Sequence, residues 1–360
     1  MQTIKVELKH GSYPVYLGQS VLTDASLWRA HLTPGKVLLI SNETVAPLYL
    51  DGLRASLSQW DVAEHIIADG EQHKSHDTWF GIIDRLVRTQ ARRDATIIAL
   101  GGGVVGDISG FAAATYMRGI RFIQAPTTLL AQVDASVGGK TGINHAEGKN
   151  LVGAFHQPAA VIIDTETLLT LPQREFRAGL AEVVKYGAIM DNGLLSWLET
   201  TAGKINSRQA DALLHLVHQS VLNKARVVAT DERETGMRAI LNFGHSFGHA
   251  LETLTNYTGY LHGEAVAIGM VIAARLSEKR GLCEAGAAER LSNLLRIFDL
   301  PVGLPRSINP EHLLRAMELD KKATADTIRL ILLSGLGQAV IDADSSRGDI
   351  LAAIKASGQD

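Results

Sequence analysis

Short apolar runs alternate with amphipathic stretches through the first half of the chain. Continuous runs such as 37–41 and 95–100 are typical of strands buried on both faces. Between such runs, apolar residues spaced near 3.6 predict helices, and strands that alternate with helices predict a mostly parallel sheet. The predicted strands are 2–9 and 13–17 (an edge hairpin), 37–41, 62–68, 95–100, 121–125 and 160–164, and the predicted helices are 45–59 and 77–90.

The pattern changes after Leu171 and Pro172, where strand-like runs nearly vanish and helical spacing dominates. We therefore expect an α/β N-terminal domain with a mostly parallel, Rossmann-like sheet (1–172) and a mainly α-helical C-terminal domain (173–360). A late apolar run, 327–333, predicts one short strand. The predicted C-terminal helices are 173–190, 208–230, 243–256, 263–280 and 285–298.

Composition narrows the class of protein. A chain of 360 residues exceeds what one core usually supports, which agrees with two domains. The net charge of −3 argues against a nucleic-acid partner. The longest apolar stretch, 265–274, is too short to span a bilayer, the first residues lack a signal-peptide core, and Cys283 is the single cysteine. We therefore expect a cytoplasmic protein with no membrane partner.

A glycine-rich turn follows the predicted strand 95–100. Gly101, Gly103 and Gly106 satisfy G-x-G-x-x-G, a motif that lets backbone N–H groups approach a pyrophosphate at the start of a helix. The usual acid about 20 residues later is missing, since Gln124 stands near that position. A plain strand-to-helix turn and a dinucleotide bound in a non-standard way both remain open.

A lysine-containing segment, 132–150, is broken by glycines and reads as a loop. Its Gly-Gly-Lys-Thr ends like a P-loop, but Ala135 replaces the required glycine, which excludes a nucleoside-triphosphatase. A mobile loop with solvated lysines is one interpretation. Paired glycines and few apolar anchors favour a loop that folds around a phosphate or carboxylate.

Three histidines and a buried-looking glutamate predict a metal site. His245 and His249 are four residues apart and share a helix face, and His262 follows shortly. Glu182 lies among apolar residues, where a carboxylate is costly without a cation. Imidazole and carboxylate ligands suit zinc, and three of them leave a position open for substrate. A surface histidine pair is the plainer interpretation, and the spacing leaves open whether His249 is a ligand or a base.

Nine short motifs occur in a fixed order along the chain. They are GGGVVGD (101–107), YMRG (116–119), PTT (126–128), DASVGGK (134–140), GKN (148–150), AEVVKYG (181–187), DERE (231–234), RAILNFGH (238–245) and LHGE (261–264). Each alone is of modest specificity. Together they closely resemble the 3-dehydroquinate synthase family of the sugar-phosphate cyclase superfamily, over nearly the whole chain.

The resemblance implies a carbon–oxygen lyase of the shikimate pathway, which leads to chorismate and the aromatic amino acids. It converts 3-deoxy-D-arabino-heptulosonate 7-phosphate into 3-dehydroquinate and phosphate, by transient oxidation with NAD, phosphate elimination, re-reduction, ring opening and aldol closure. A homodimer is expected, in which Arg118 serves the neighbouring subunit's pocket. The cofactors implied are NAD and one divalent metal ion, zinc or cobalt.

The family match also implies a set of site residues. The metal ligands are Glu182, His245 and His262, and the catalytic residues are His249, Lys185, Asp134 and Lys140. The NAD-binding residues are Asn42 (where some relatives carry Asp), Thr44, Glu71, Lys74, Gly102, Gly103, Asp107, Thr127, Thr128, Lys149, Thr167 and Thr170. The substrate-binding residues are Arg118, Asp134, Lys140, Asn150, Lys185, Lys224, Arg238, Asn242, His249 and Lys321 or Lys322.

Three other functions remain to be weighed. A 2-deoxy-scyllo-inosose synthase would use a metal site in the same way, but Arg238 and Asn242 fit a ring-bound carboxylate that its substrate lacks. A metal-dependent polyol dehydrogenase would release NADH steadily and would need fewer anion-binding side chains. A non-enzymatic binding module would leave the metal site and the dinucleotide loop without a purpose.

Overall fold

The computed structural model describes residues 1–9, 11–32, 34–321 and 328–358. Nine strands occupy the first half of the chain, each close to a predicted apolar run except for β7 and β8. They are β1 (Gln2–Leu8), β2 (Gly11–Gly18), β3 (Val37–Asn42), β4 (Val62–Ile67), β5 (Thr96–Gly101), β6 (Arg121–Pro126), β7 (Lys140–His145), β8 (Gly148–Phe155) and β9 (Ala160–Asp164).

Seven of these strands form one sheet in the order β1-β2-β9-β6-β5-β3-β4. All neighbours are parallel except β1 and β2, which pair as an antiparallel hairpin at the edge. Successive residues of a strand face opposite sides, so Leu38 and Ile40 join one core cluster while Val37 and Leu39 join the other. Because helices cover both faces, the central strands are apolar at nearly every position. The predicted fold class is confirmed.

The lysine-containing segment differs from its prediction as a loop. Its second half forms an antiparallel hairpin of β7 and β8, in which Gly142 pairs with Gly153. A side chain at Gly142 or Gly153 would overlap the backbone of the opposite strand, since each glycine lies against that strand's carbonyl groups. Gly142, one of the glycines that suggested a loop, therefore permits close strand pairing.

Thirteen α-helices are present among the described residues, and the predicted helix 173–190 is found with the same bounds. Three C-terminal helices, α7, α12 and α13, were not predicted. The first six are α1 (Ala25–His31), α2 (Ala46–Ser56), α3 (His76–Arg88), α4 (Gly103–Thr115), α5 (Thr167–Thr170) and α6 (Gln173–Met190). The others are α7 (Asn192–Asn206), α8 (Ala210–Thr230), α9 (His245–Leu254), α10 (His262–Lys279), α11 (Ala287–Ile297), α12 (Pro310–Lys321) and α13 (Arg347–Ala356), and a hairpin of β10 (Leu330–Gly335) and β11 (Gln338–Asp342) precedes α13.

The chain divides into two compact units. The first unit comprises Met1–Leu171 and Leu213–Arg233, and the second comprises Pro172–Ala212 and Glu234–Asp360. The sequence pattern did not predict that most of α8 belongs with the first unit. Among the described helices, none has the length and hydropathy that crossing a bilayer would require.

Glycines on α10 allow this central helix of the second unit to approach its neighbours closely. A Cβ atom at Gly263 would overlap the Ala178 carbonyl oxygen of α6, and one at Gly269 would overlap the Gly244 carbonyl oxygen. These neighbours are backbone atoms, which cannot rotate away. Helices α6 and α9 are thereby held at short distance from α10.

We expect Gly269→Ala to lower the free energy of unfolding by about 1–3 kcal/mol, because the added methyl group forces α10 away from Gly244. Gly203→Ala is the control, since a Cβ atom at Gly203 in α7 meets no atom within 4 Å. That control should gain about 0.5–1 kcal/mol from helix propensity. Urea denaturation of both variants measures the difference, and equal stabilities would contradict the close approach.

Candidate metal centre

Helix α6 carries a carboxylate into the core of the second unit. Its residues from Ala178 to Ile189 are buried on all sides, and Glu182 is 0% exposed. Neither carboxylate oxygen of Glu182 has a hydrogen-bond partner of good geometry among the described residues. An ionised carboxylate in such surroundings requires positive charge close by.

Two imidazoles lie against that carboxylate. His245 begins α9 and His262 begins α10, and their Nε2 atoms are 3.5 and 3.8 Å from Glu182 Oε1. Two ligands of a tetrahedral zinc ion, each about 2.1 Å from the metal, are roughly 3.4 Å apart. The three ligand atoms all lie within 4.8 Å of one another. Their donor types and spacing therefore fit a zinc-type ion.

The second ring nitrogen of each histidine is engaged. His245 Nδ1 lies 3.1 Å from the Phe243 carbonyl oxygen, and His262 Nδ1 lies 3.4 Å from Glu252 Oε2. Each partner accepts a hydrogen bond from an Nδ1–H group, which directs the Nε2 lone pair toward Glu182. The arrangement orients both rings for coordination.

The electrostatics differ between the two rings. Burial, and then the positive charge of Lys185, lowers the pKa of His245 well below its usual value, so this ring stays neutral. Burial also disfavours a charge on His262, but the hydrogen bond and charge of Glu252 outweigh it and raise the pKa of His262. A neutral ring is ready to coordinate, whereas His262 must release a proton at low pH.

His249, Glu252 and His262 form a second group whose atoms are also close enough to share an ion. We favour the first group, because neither oxygen of Glu182 has a hydrogen-bond partner of good geometry in the part of the chain that the structure describes, whereas Glu252 already orients His262. His249 is exposed, and its ring centroid lies 5.4 Å from that of His245 and 5.8 Å from that of His262. This position suits a group that transfers protons beside the metal.

Lys185 lies one helical turn beyond Glu182 and is equally buried. Its ammonium group forms an ion pair with Glu182 Oε2. A charged lysine and a charged glutamate are costly to bury separately, and the pair lowers that cost. Lys185 therefore belongs to the same cluster as the metal ligands.

A pocket of about 330 Å³ adjoins His245 and His249 within the second unit. Asn242 lines it and donates a 2.7 Å hydrogen bond to Glu234, an acid that the sequence interpretation missed. The available signal was the DERE motif, of which Glu234 is the last residue. Arg238 is 2% exposed and lies in the turn before Asn242.

The glycine-rich turn lies in the first unit, between β5 and α4. Gly102 precedes the first turn of α4 and has no side chain to cap its N–H groups. A Cβ atom there would lie 3.1 Å from the Thr128 side chain, and the buried Thr127 hydroxyl has no partner among the described residues. Open N–H groups and an unpaired hydroxyl at a helix N-terminus fit a pyrophosphate.

A buried lysine joins two other predicted residues of the first unit. Lys74 Nζ donates to Asp107 Oδ2 (2.5 Å) and to Asn150 Oδ1 (2.6 Å). Burial raises the pKa of Asp107, while Lys74 opposes that rise. Asn144, which accepts from the Asn150 N–H (2.9 Å), donates to Glu71 (2.8 Å). The hairpin of β7 and β8 is thereby tied to the turn that carries Glu71 and Lys74.

The side chains of Asn42 and Thr44 both form hydrogen bonds to an acid that was not predicted. Asn42 Nδ2 donates to Asp69 Oδ1 (2.6 Å), and Thr44 Oγ1 donates to Asp69 Oδ2 (2.7 Å). Asp69 follows β4, whose pairing with β3 brings the ends of the two strands together. Its position after a strand was the available signal.

The remaining predicted residues of the first unit lie at several places. Lys224 of α8 forms an ion pair with Asp134 (2.9 Å). Lys140 begins β7 and is exposed, Lys149 is in β8, and Arg118 is exposed in a turn with left-handed backbone (φ 65°). Thr167 accepts a hydrogen bond from Gln132 (2.9 Å), and Thr170 contacts the Tyr49 hydroxyl.

Lys321 is the last residue of α12, and Lys322 lies outside the described residues. The assignment of either lysine to the substrate stays a prediction.

Comparison with known proteins identifies the family. Models described as 3-dehydroquinate synthase N-terminal and 3-dehydroquinate synthase C-terminal match residues 64–178 and 179–323. The chain is 50% identical over 353 residues to the 3-dehydroquinate synthase of Nitrosococcus oceani, which covers 98% of each chain. The chain belongs to the 3-dehydroquinate synthase family. The resemblance found in the motifs is thus confirmed.

Solved cyclases share the fold of this 3-dehydroquinate synthase family member. ValA, a 2-epi-5-epi-valiolone synthase from Streptomyces hygroscopicus, was solved with NAD+ and Zn2+ bound; it is 33% identical, with a TM-score of 0.88 and coverage of 97% of this chain and 98% of that one. A 2-deoxy-scyllo-inosose synthase, complexed with carbaglucose-6-phosphate, NAD+ and Co2+, is 27% identical, with a TM-score of 0.89 and coverage of 99% and 100%. The two-part α/β and helical architecture is common to all three.

We expect Glu252→Gln to weaken zinc binding by about 10- to 100-fold, because the imidazole of His262 loses its carboxylate partner. Competition with a chromophoric chelator measures the dissociation constant, and Glu289→Gln on the exposed face of α11 is the control. If Glu252→Gln abolished stoichiometric binding while Glu182→Gln retained it, the second group would be the metal site.

Proposed function

We propose that this chain is a 3-dehydroquinate synthase, which converts 3-deoxy-D-arabino-heptulosonate 7-phosphate into 3-dehydroquinate and phosphate. The observation that carries the proposal is the buried Glu182 between the Nε2 atoms of His245 and His262, in a chain of this family. A carboxylate and two oriented imidazoles serve a catalytic ion, since three protein ligands leave one position for substrate.

The cofactors we propose are NAD and one divalent ion, zinc or cobalt. The two similar cyclases were solved with NAD+ and either Zn2+ or Co2+, which supports this choice. We assign NAD to residues 1–172, around the open start of α4, and the metal to residues 173–360. When bound, NAD accepts and returns a hydride, and the ion polarises the hydroxyl oxygen of the carbon that is oxidised.

The side chains of the chain hold the substrate and move its protons. We propose that His249 exchanges a proton with the hydroxyl group beside the metal ligands, since its ring is exposed and adjoins both histidines. Lys185 balances the negative charge that develops on the same oxygen. Lys140, Asn150 and the Lys224–Asp134 pair are assigned to the phosphate end, where cationic donors bind phosphate strongly.

Arg238 and Asn242 are assigned to the ring carboxylate of the substrate. Glu234 accepts from the Asn242 amide and so fixes its orientation. A 2-deoxy-scyllo-inosose synthase acts on a substrate without that carboxylate, so these two side chains would have no such group to recognise. This pair therefore favours dehydroquinate synthesis.

Two further proposals concern the setting of the enzyme. We propose a homodimer in which the exposed Arg118 reaches the substrate of the neighbouring subunit. We also propose that the enzyme acts in the cytoplasm, which agrees with a single cysteine.

Purified protein, zinc, a catalytic amount of NAD and the heptulosonate 7-phosphate should release phosphate without net NADH. The reason is that the hydride taken from the substrate returns to it within each turnover. Phosphate release and absorbance of NADH are followed together, and removal of the metal by a strong chelator should stop release until zinc is restored. Steady accumulation of NADH would favour a polyol dehydrogenase, and release only from glucose 6-phosphate would favour an inosose synthase.

We expect His249→Ala to retain one zinc per chain while its kcat falls about 10²- to 10⁴-fold, which is the usual contribution of a positioned acid or base. Metal content by elemental analysis separates this outcome from loss of a ligand. Thr253→Ala, one turn further along α9, is the control for changes on the same helix. A variant without stoichiometric zinc would make His249 a ligand.

A further inference from the structure

The first turn of α10 contacts α6 in a regular order. His262 Nε2 lies 3.8 Å from Glu182, Gly263 rests on the Ala178 carbonyl, and Glu264 pairs with Arg174. Three successive residues of α10 thus meet α6 residues spaced by four. Positions four apart lie along one ridge of a helix, so the three contacts form a single line from the metal ligands to the start of α6.

The outer contact of this line is an ion pair with fixed geometry. Arg174 Nε donates to Glu264 Oε1 and Arg174 Nη2 donates to Glu264 Oε2, both at 2.7 Å. The same Nη2 also donates to the Gly259 carbonyl oxygen (3.2 Å), in the segment before α10. A planar guanidinium bonded at two oxygens fixes orientation as well as distance.

Glu264 also caps the helix that carries His262. Its Oε2 accepts a 2.8 Å hydrogen bond from the N–H of Leu261, the residue before α10. The Glu264 side chain is 14% exposed, whereas that of Arg174 is 58% exposed. An exposed ion pair alone contributes little stability. Here the carboxylate is largely buried and anchors both the capped turn and Arg174.

Glu264 belongs to neither group of described residues whose atoms are close enough to share an ion, and the guanidinium of Arg174 is not a metal ligand. Both act instead on the backbone that carries a ligand. We propose that the Arg174–Glu264 pair is a positioning element, which sets the distance between Glu182 and His262 and thereby the affinity of the site for a divalent ion. This inference rests on the metal site of the proposed function.

The test compares this pair with a matched pair in the same unit. Arg290 and Glu199 join α11 to α7 with the same two-bond geometry (2.7 and 2.9 Å), and neither residue belongs to α10 or α6. Zinc dissociation constants, the visible spectrum of the cobalt-loaded protein and the unfolding midpoint of the metal-free protein are measured for Arg174→Ala, Arg174→Lys, Glu264→Gln and Arg290→Ala.

We expect Arg174→Ala and Glu264→Gln to weaken zinc binding about 10-fold, near the lower end of what outer partners of ligands contribute. The cobalt spectrum should change, because it reports the geometry of the ligands. Arg174→Lys should recover part of the affinity, and Arg290→Ala should leave affinity and spectrum unchanged whatever it does to the unfolding midpoint.

Two results would overturn the inference. One is unchanged zinc affinity in both Arg174→Ala and Glu264→Gln. The other is an affinity loss in Arg290→Ala that matches theirs and follows the loss of stability, because the effect would then be general destabilisation. A native chain that binds no zinc would refute the metal site itself, so failure of the proposed function is recognised separately.

Discussion

The packing of the second unit depends on the buried charge of Glu182. A carboxylate without hydrogen bonds in an apolar helix is tolerated only if cations surround it, and the chain supplies Lys185 on the same helix. His245 and His262 complete the group. The ring of His245 is neutral, and the ring of His262 shares a proton with Glu252 in a hydrogen bond. Burying this acid for structural reasons alone would cost free energy, whereas a buried carboxylate is well suited to hold a cation. The surrounding helices therefore have to meet at this point.

The helices meet because small residues let backbones touch. Gly263 and Gly269 on α10 lie against carbonyl groups of its neighbours, where any side chain would collide. Since His262 precedes Gly263 directly, the close contact with α6 also places the ligand. Packing and coordination thus depend on the same few residues, so a substitution that alters the packing should also alter the coordination.

Strong periodic patterns made much of the fold predictable. Helix 173–190 and the apolar strands were predicted from spacing alone. Histidines four apart and an acid in an apolar helix indicated a metal site, whereas the ligand set Glu182, His245 and His262 came from the family resemblance and stays a prediction. The hairpin of β7 and β8 was missed because its glycines resemble those of a loop, although the partner strand is what requires them. Asp69 and Glu234 were missed although the sequence held a signal for each, a position after a strand and the DERE motif. Such signals do not identify partners, and only the folded chain shows the amides of Asn42 and Asn242 that the two acids bind.

The charges around His262 have a consequence for ligand binding. When both histidine rings are neutral, Glu182 and Glu252 carry two negative charges and Lys185 one positive, so the cluster has a net charge of −1 without a dication and +1 with one. A low-dielectric interior penalises that surplus. An anionic sugar phosphate relieves it, so metal and substrate should strengthen each other's binding by the same factor, as thermodynamic linkage demands.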